Sequence, residues 1–302
     1  MRIEDRSLYE MTPGMRLAIF LAATGISMIV GAYITFSLVA AYLHVGISEI
    51  QMALMQPGNG HLSLFANAIA SLIAFLVPSV AVAFFTKGTM LENMGFKPIS
   101  NAKLVQWVVL LGFSGLLLSG ALASLTEIIP IPAHFKNWAD GLEAAYKKAM
   151  LAMTQMNSLG DLIINLIAVA IIPAIVEEVY FRGALQKTLC DWMHKPLVAI
   201  VVTSIVFSAF HFSYFGFLSR MALGILLGLI YEYTKTIWMP VLLHLINNGM
   251  AVIALYSVRG NQKNIDKVMD QSFPVYSLAI AIGLVAYLLM RLKKEAQYER
   301  LD

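Results

Sequence analysis

Long stretches of the chain carry no Asp, Glu, Lys or Arg: 17–48, 50–86, 104–126, 162–176, 196–219, 236–258 and 271–290. Within each stretch the apolar residues run on continuously instead of alternating, which predicts helices and not the dyad-period strands of a barrel. A helix needs about 20 apolar residues to cross a bilayer. By that measure the pattern predicts eight spans, near 17–44, 62–86, 104–126, 162–190, 196–213, 216–232, 236–257 and 274–292. The first is too long for a signal-peptide core and is followed by no small-residue cleavage site, so it is expected to stay in the protein. Two connections are long. Residues 45–61 are rich in Met, Gln and Gly, whereas 127–160 opens with Pro130 and Pro132. The second then shows an apolar stripe at Trp138, Leu142, Ala145, Ala149 and Met153, as expected of an amphipathic helix lying on the membrane surface.

Composition supports this reading. Of 302 residues, 59% are hydrophobic and 13% charged, too little polar surface to solvate a globule. Mean hydropathy is +0.74. The fold class expected is an all-α integral membrane protein, a bundle of about eight transmembrane helices around a polar cavity. No repeat or flexible linker divides the chain, so 1–302 is read as one polytopic domain. A net charge of +3 is too small and scattered for a nucleic-acid reader, and membrane lipids are the expected surroundings. The single cysteine, Cys190, excludes an intrachain disulfide framework. The methionines read as core fillers.

Basic residues set the expected orientation. One side of an eight-span bundle holds 13 of them: Arg2, Arg6, Arg16, Lys87, Lys97, Lys103, Lys187, Lys195, Lys235, Arg291, Lys293, Lys294 and Arg300. The other holds six: Lys136, Lys147, Lys148, Arg259, Lys263 and Lys267. Both termini are therefore expected in the cytoplasm, with the protein in a cell membrane of bacterial inner-membrane type.

Ionisable side chains inside spans are expensive and mark function. They cluster at three places: Glu177-Glu178 with Arg182, Phe207 with His211, and His244 with Asn248. Glu178 and Arg182 are four apart and can pair on one helix face. Glu177 lies about 100° around the helix, with no arginine on its own face. Phe207 and His211, and His244 and Asn248, share faces in the same way. The turn between the fourth and fifth spans centres near His194, 17 residues from both Glu177 and His211, so antiparallel helices bring those two to one level. A glutamate shielded from bulk water is suited to act as a general base. A histidine beside it can hold the water, and a second histidine with an amide can donate to the oxyanion of an attacked peptide carbonyl. Such a set needs no serine or cysteine nucleophile.

These three motifs, in this order on separate hydrophobic helices, resemble the CPBP (Abi) family of CAAX proteases and bacteriocin-processing enzymes, whose eukaryotic relatives are the type II CAAX prenyl endopeptidases. The resemblance covers 160–255. It implies an intramembrane glutamate endopeptidase cleaving a peptide or lipidated-protein substrate of CAAX or leader-peptide type, with Glu177 and His211 activating water and His244 and Asn248 stabilising the oxyanion. Glu178, Arg182 and Phe207 become supports, and access from the cytoplasmic face is favoured. No cofactor is expected. The alternative is a zinc protease with Glu177, His211 and His244 as ligands, a common catalytic set, although no His-Glu-x-x-His helix is present. Two other classes share the pattern: a proton-coupled carrier, because Glu/His/Asn clusters also build relays, and a non-proteolytic immunity protein. Arg220 and Glu232 read as residues that snorkel from span ends.

Overall fold

A computed structural model describes residues 11–56, 58–99, 101–270 and 273–298. Arg2, Arg6 and Arg300, used in the orientation count, lie outside them. Among the described residues there is no strand. We number the long helices α1 (Pro13–Leu43), α2 (Gly60–Phe84), α3 (Ala102–Ile128), α4 (Ala133–Met153), α5 (Leu159–Met193), α6 (Pro196–Ala209), α7 (Phe217–Thr234), α8 (Trp238–Ser257), α9 (Gln262–Asp270) and α10 (Ser277–Tyr298).

All eight expected span positions are helical. Six of the described helices (α1, α2, α3, α5, α7 and α8) are long and apolar enough to cross a membrane. The other two depart from expectation for different reasons. α6 has only 14 residues. It stops at Ala209, not 213, because the chain turns through Phe212 at φ +50°. α10 is long enough, but its last turns carry Arg291, Lys293, Lys294 and Glu295.

Local chemistry sets the helix ends. Thr12 caps α1 through its hydroxyl, which accepts from the Met15 N–H, and Pro13 occupies the first helical position, where no N–H is needed. Ser158 and Asp161 form a capping box at α5. Pro196 opens α6. His44, His194 and Lys235 adopt left-handed backbone and close α1, α5 and α7.

The bundle is built inside-out relative to a soluble protein. α1 buries Thr24, Ser27, Gly31 and Thr35, while Leu21, Ile26 and Ile29 face outward. Apolar side chains gain nothing by leaving lipid, so close backbone packing through small residues holds such helices together. Gly31 lies against Ile73 of α2, where an added Cβ would stand 3.0 Å from its Cγ2. The main apolar core joins α3, α7, α8 and α10 through Val108, Leu111, Leu227, Ile230, Leu243 and Leu292.

The amphipathic helix expected in 127–160 is present as α4. Trp138 is 58% exposed, and the buried face centres on Ala139. The Met153 side chain lies outside the described residues. The inner face of α4 meets an internal cavity, which Glu143 and Tyr146 line beside Met150.

Candidate functional site

α5 is not a uniform α-helix. Two π-helical stretches, Leu166–Ile171 and Val179–Gln186, interrupt it on either side of an α-helical segment, Ile172–Glu178. π turns are rare and concentrate at functional sites. The first precedes Pro173, which has no N–H to give the Val169 carbonyl in an α-helical register. Asn248 Nδ2, from α8, donates to that carbonyl at 3.3 Å. Asn247 Nδ2 donates to Asn248 Oδ1 at 3.2 Å, which fixes which way the amide points.

Glu178 and Arg182 form the pair read from their spacing. Arg182 Nη1 donates to Glu178 Oε1 at 2.7 Å, with both side chains fully buried. The pair is also a hub. Arg182 Nη2 donates to the Gly224 carbonyl at 3.0 Å, and Gln186 Nε2 to the Gly228 carbonyl at 3.1 Å. The Gly224-x-x-x-Gly228 face of α7 thus meets α5 rung for rung. A Cβ at Gly224 would come 2.9 Å from Ser204 Cβ of α6, so only glycine permits this approach. From α8, His244 Nδ1 donates to the same Glu178 oxygen at 2.8 Å. A carboxylate oxygen can only accept, so the hydrogen sits on Nδ1 and Nε2 is left facing the cavity. That Nε2 is 3.9 Å from Glu177 Oε2, too far for a direct hydrogen bond.

His211 lies beyond the end of α6, in the turn that follows it. It nonetheless stays over Phe207, because its Nδ1 donates to the Phe207 carbonyl at 2.9 Å and the rings stack with centroids 4.9 Å apart. A backbone carbonyl is likewise only an acceptor. His211 therefore keeps Nδ1–H and presents an unprotonated Nε2. The Phe207 ring also lies 5.8 Å from His244 and 4.9 Å from the Arg182 guanidinium. It separates the ion pair from the cavity while packing both histidines.

Glu177, His211, His244 and Asn248 line one cavity of about 690 Å³. Glu177 approaches His244 but makes no hydrogen bond to it. Its side chain is 15% exposed, and its Oε2 is buried with no hydrogen-bond partner. The four side chains singled out from sequence are therefore brought together, with Glu178 and Arg182 directly behind them. Among the described residues, no group of three or more His, Cys, Asp or Glu could hold an ion.

Sequence reasoning missed the outer wall. Arg220 does not snorkel from a span end. It lines the cavity with its guanidinium 4.6 Å from the Tyr146 ring and its Nη1 buried without a partner. Glu143, also in the wall, accepts from Ser213 Oγ at 2.8 Å. The available signal was Arg220 itself, an arginine between two apolar stretches with no carboxylate one turn away. Glu232 does pair at the membrane edge, with Lys235 at 2.5 Å.

Fold and site together define a multi-pass helical membrane protein with an acid–imidazole–amide cluster in an internal cavity. Residues 159–250, under a third of the chain, match the family described as type II CAAX prenyl endopeptidase Rce1-like. The resemblance carried by the three motifs therefore holds where the site lies. An uncharacterized protein of Bacillus subtilis (strain 168), YpbD, is 33% identical over 86 residues, a stretch covering 27% of this chain and 41% of that one. No solved structure matches.

Proposed function

We propose that the chain is an intramembrane endopeptidase that hydrolyses a peptide bond of a membrane-associated substrate, of CAAX or leader-peptide type, with water activated by Glu177. The observation that carries this is the Glu177 carboxylate, partnerless in a cavity shared with two histidines and an amide. Water held between Glu177 and His211 Nε2 attacks the carbonyl carbon as Glu177 takes its proton. The oxyanion forms where Asn248 Nδ2–H can reach it, and where His244 donates from Nε2 once both of its nitrogens carry hydrogen. Glu177 then returns the proton to the leaving amine as the C–N bond breaks. Glu178 acts through His244, holding its ring by Nδ1. Buried and unpartnered, Arg220 Nη1 would be satisfied by an acceptor on the substrate.

The test is cleavage of a prenyl-peptide or proteome-derived library by purified protein in detergent, with Glu177→Gln and a chelator in parallel. Removing the base should lower the rate by about 10²–10⁴-fold with the fold intact. Cleavage should persist in chelator. Loss in chelator with recovery on adding zinc would instead make Glu177, His211 and His244 ligands. A wild type that cuts nothing would sink the proteolytic reading.

A further inference from the structure

The two ends of the bundle are distinguished by their own contacts. At the end holding the termini, Arg16 pairs with Asp191 at 2.9 Å, and the turn between α7 and α8 is tied to 95–97 by Ile237 N–H to Gly95 O at 2.8 Å and Thr236 Oγ1 to Lys97 O at 2.7 Å. At the opposite end, His61 pairs with Asp161 at 2.9 Å, Ser213 with Glu143, and Ser124 Oγ donates to the Phe273 carbonyl.

The cavity belongs wholly to that second end. Its outer wall comes from Glu127 at the end of α3, Glu143 and Tyr146 of α4, Arg220 at the start of α7, Leu255 near the end of α8, and Met269 of α9. None of the residues lining it comes from the turns at the termini end. Towards the termini the way is closed. Every residue of α5 from Glu178 to Gln186 is buried, and Gly183 presses against the Met94 carbonyl, leaving no room for a Cβ. Two expectations from sequence, cytoplasmic termini and cytoplasmic access, therefore cannot both hold.

Charge decides between them. Among the described residues the closed end carries ten Lys and Arg, and the open end carries six plus Arg220 of the cavity wall. Basic residues near span ends are retained in the cytoplasm, and acidic residues count little. We infer that the cavity opens to the outside of the membrane and receives extended polypeptide from there: a leader or juxtamembrane segment of an exported protein, and not a cytosolic C-terminus. The chemistry rests on the endopeptidase reading above; the sidedness does not.

Two measurements test this separately. In a Cys190→Ser background, Lys136→Cys on α4 and Lys195→Cys in the α5–α6 turn are treated with a membrane-impermeant maleimide on spheroplasts. Labelling of position 136 in intact spheroplasts, with 195 reached only after permeabilisation, is expected. The reverse pattern, or equal labelling of both, overturns the inference. Quenched leader-type and ectodomain-derived peptides, too polar to cross lipid, are then offered to right-side-out and inverted vesicles, with Glu177→Gln as control. Cleavage confined to right-side-out vesicles supports outside access, and the peptide that is cut tells leader from juxtamembrane segment. Cleavage confined to inverted vesicles overturns it. Absence of cleavage in both and in detergent removes the protease, while the labelling still decides the side.

Discussion

Glu177 and Glu178 are adjacent carboxylates with opposite assignments. Glu178 is locked between Arg182 and His244, with none of its side chain exposed, whereas Glu177 faces the cavity. Stability should therefore depend on the first and activity on the second. Arg182→Ala strands a buried carboxylate, a class of change that costs about 3–5 kcal/mol. The unfolding midpoint in detergent should drop sharply for Arg182→Ala and hold for Glu177→Gln. Equal midpoints for the two variants would mean the ion pair is not structural. The Glu178–Arg182 contact was legible in the sequence because four-residue spacing on a helix fixes it. His244 on Glu178 was not, because it joins spans 66 positions apart and spacing says nothing about which helices touch.

At the level of elements, α5 and its neighbours are held by close backbone approaches. A Cβ on Gly183 would stand 2.5 Å from the Met94 carbonyl oxygen, and backbone cannot move aside cheaply. Gly183→Ala should cost about 1–3 kcal/mol, typical of overpacking, read as a lower midpoint. Gly25→Ala, where nothing lies within 4 Å of the added methyl, is the control and should change little. Helix existence followed from charge-free runs, and α1, α2, α3, α7 and α8 lie close to where the pattern put them. The π turns did not follow, since Pro173 signals an interruption without saying how the freed carbonyl is satisfied. α6 was overextended because His211-Phe212-Ser213 carries no Asp, Glu, Lys or Arg and so prolongs the run, although the chain turns at Phe212.

For the whole molecule, α4 forms part of the cavity's outer wall and is held there partly by polar side-chain contacts. The Ser213–Glu143 hydrogen bond and the Arg220–Tyr146 stacking tie it to the chain around α7. Such contacts are worth about 0.5–1.5 kcal/mol each, so removing both with Glu143→Ala and Tyr146→Ala should free the helix without unfolding the bundle. Amide exchange across 133–153 should accelerate by about tenfold or more, with 172–186 unchanged. Acceleration of both segments would show that α4 is part of the core. That α4 covers the site was invisible to periodicity, because an inner face carrying Glu143 looks solvent-exposed when its counterpart is a polar cavity.

The π stretch at Leu166–Ile171 also bears on how the gene can change. An α-helix turns about 100° and rises about 1.5 Å per residue, so losing or gaining a single residue between Asn165 and Ile172 would swing everything after it by that angle. Glu177 would leave the cavity and a neighbouring side chain would take its place, although hydropathy and helix length would scarcely alter. Codon substitutions among the lipid-facing residues Ile163, Ile164 and Ile167 leave this phase untouched, whereas an in-frame deletion or insertion beside them breaks it. Through this segment, the placement of Glu177 depends more on the number of residues than on their identity.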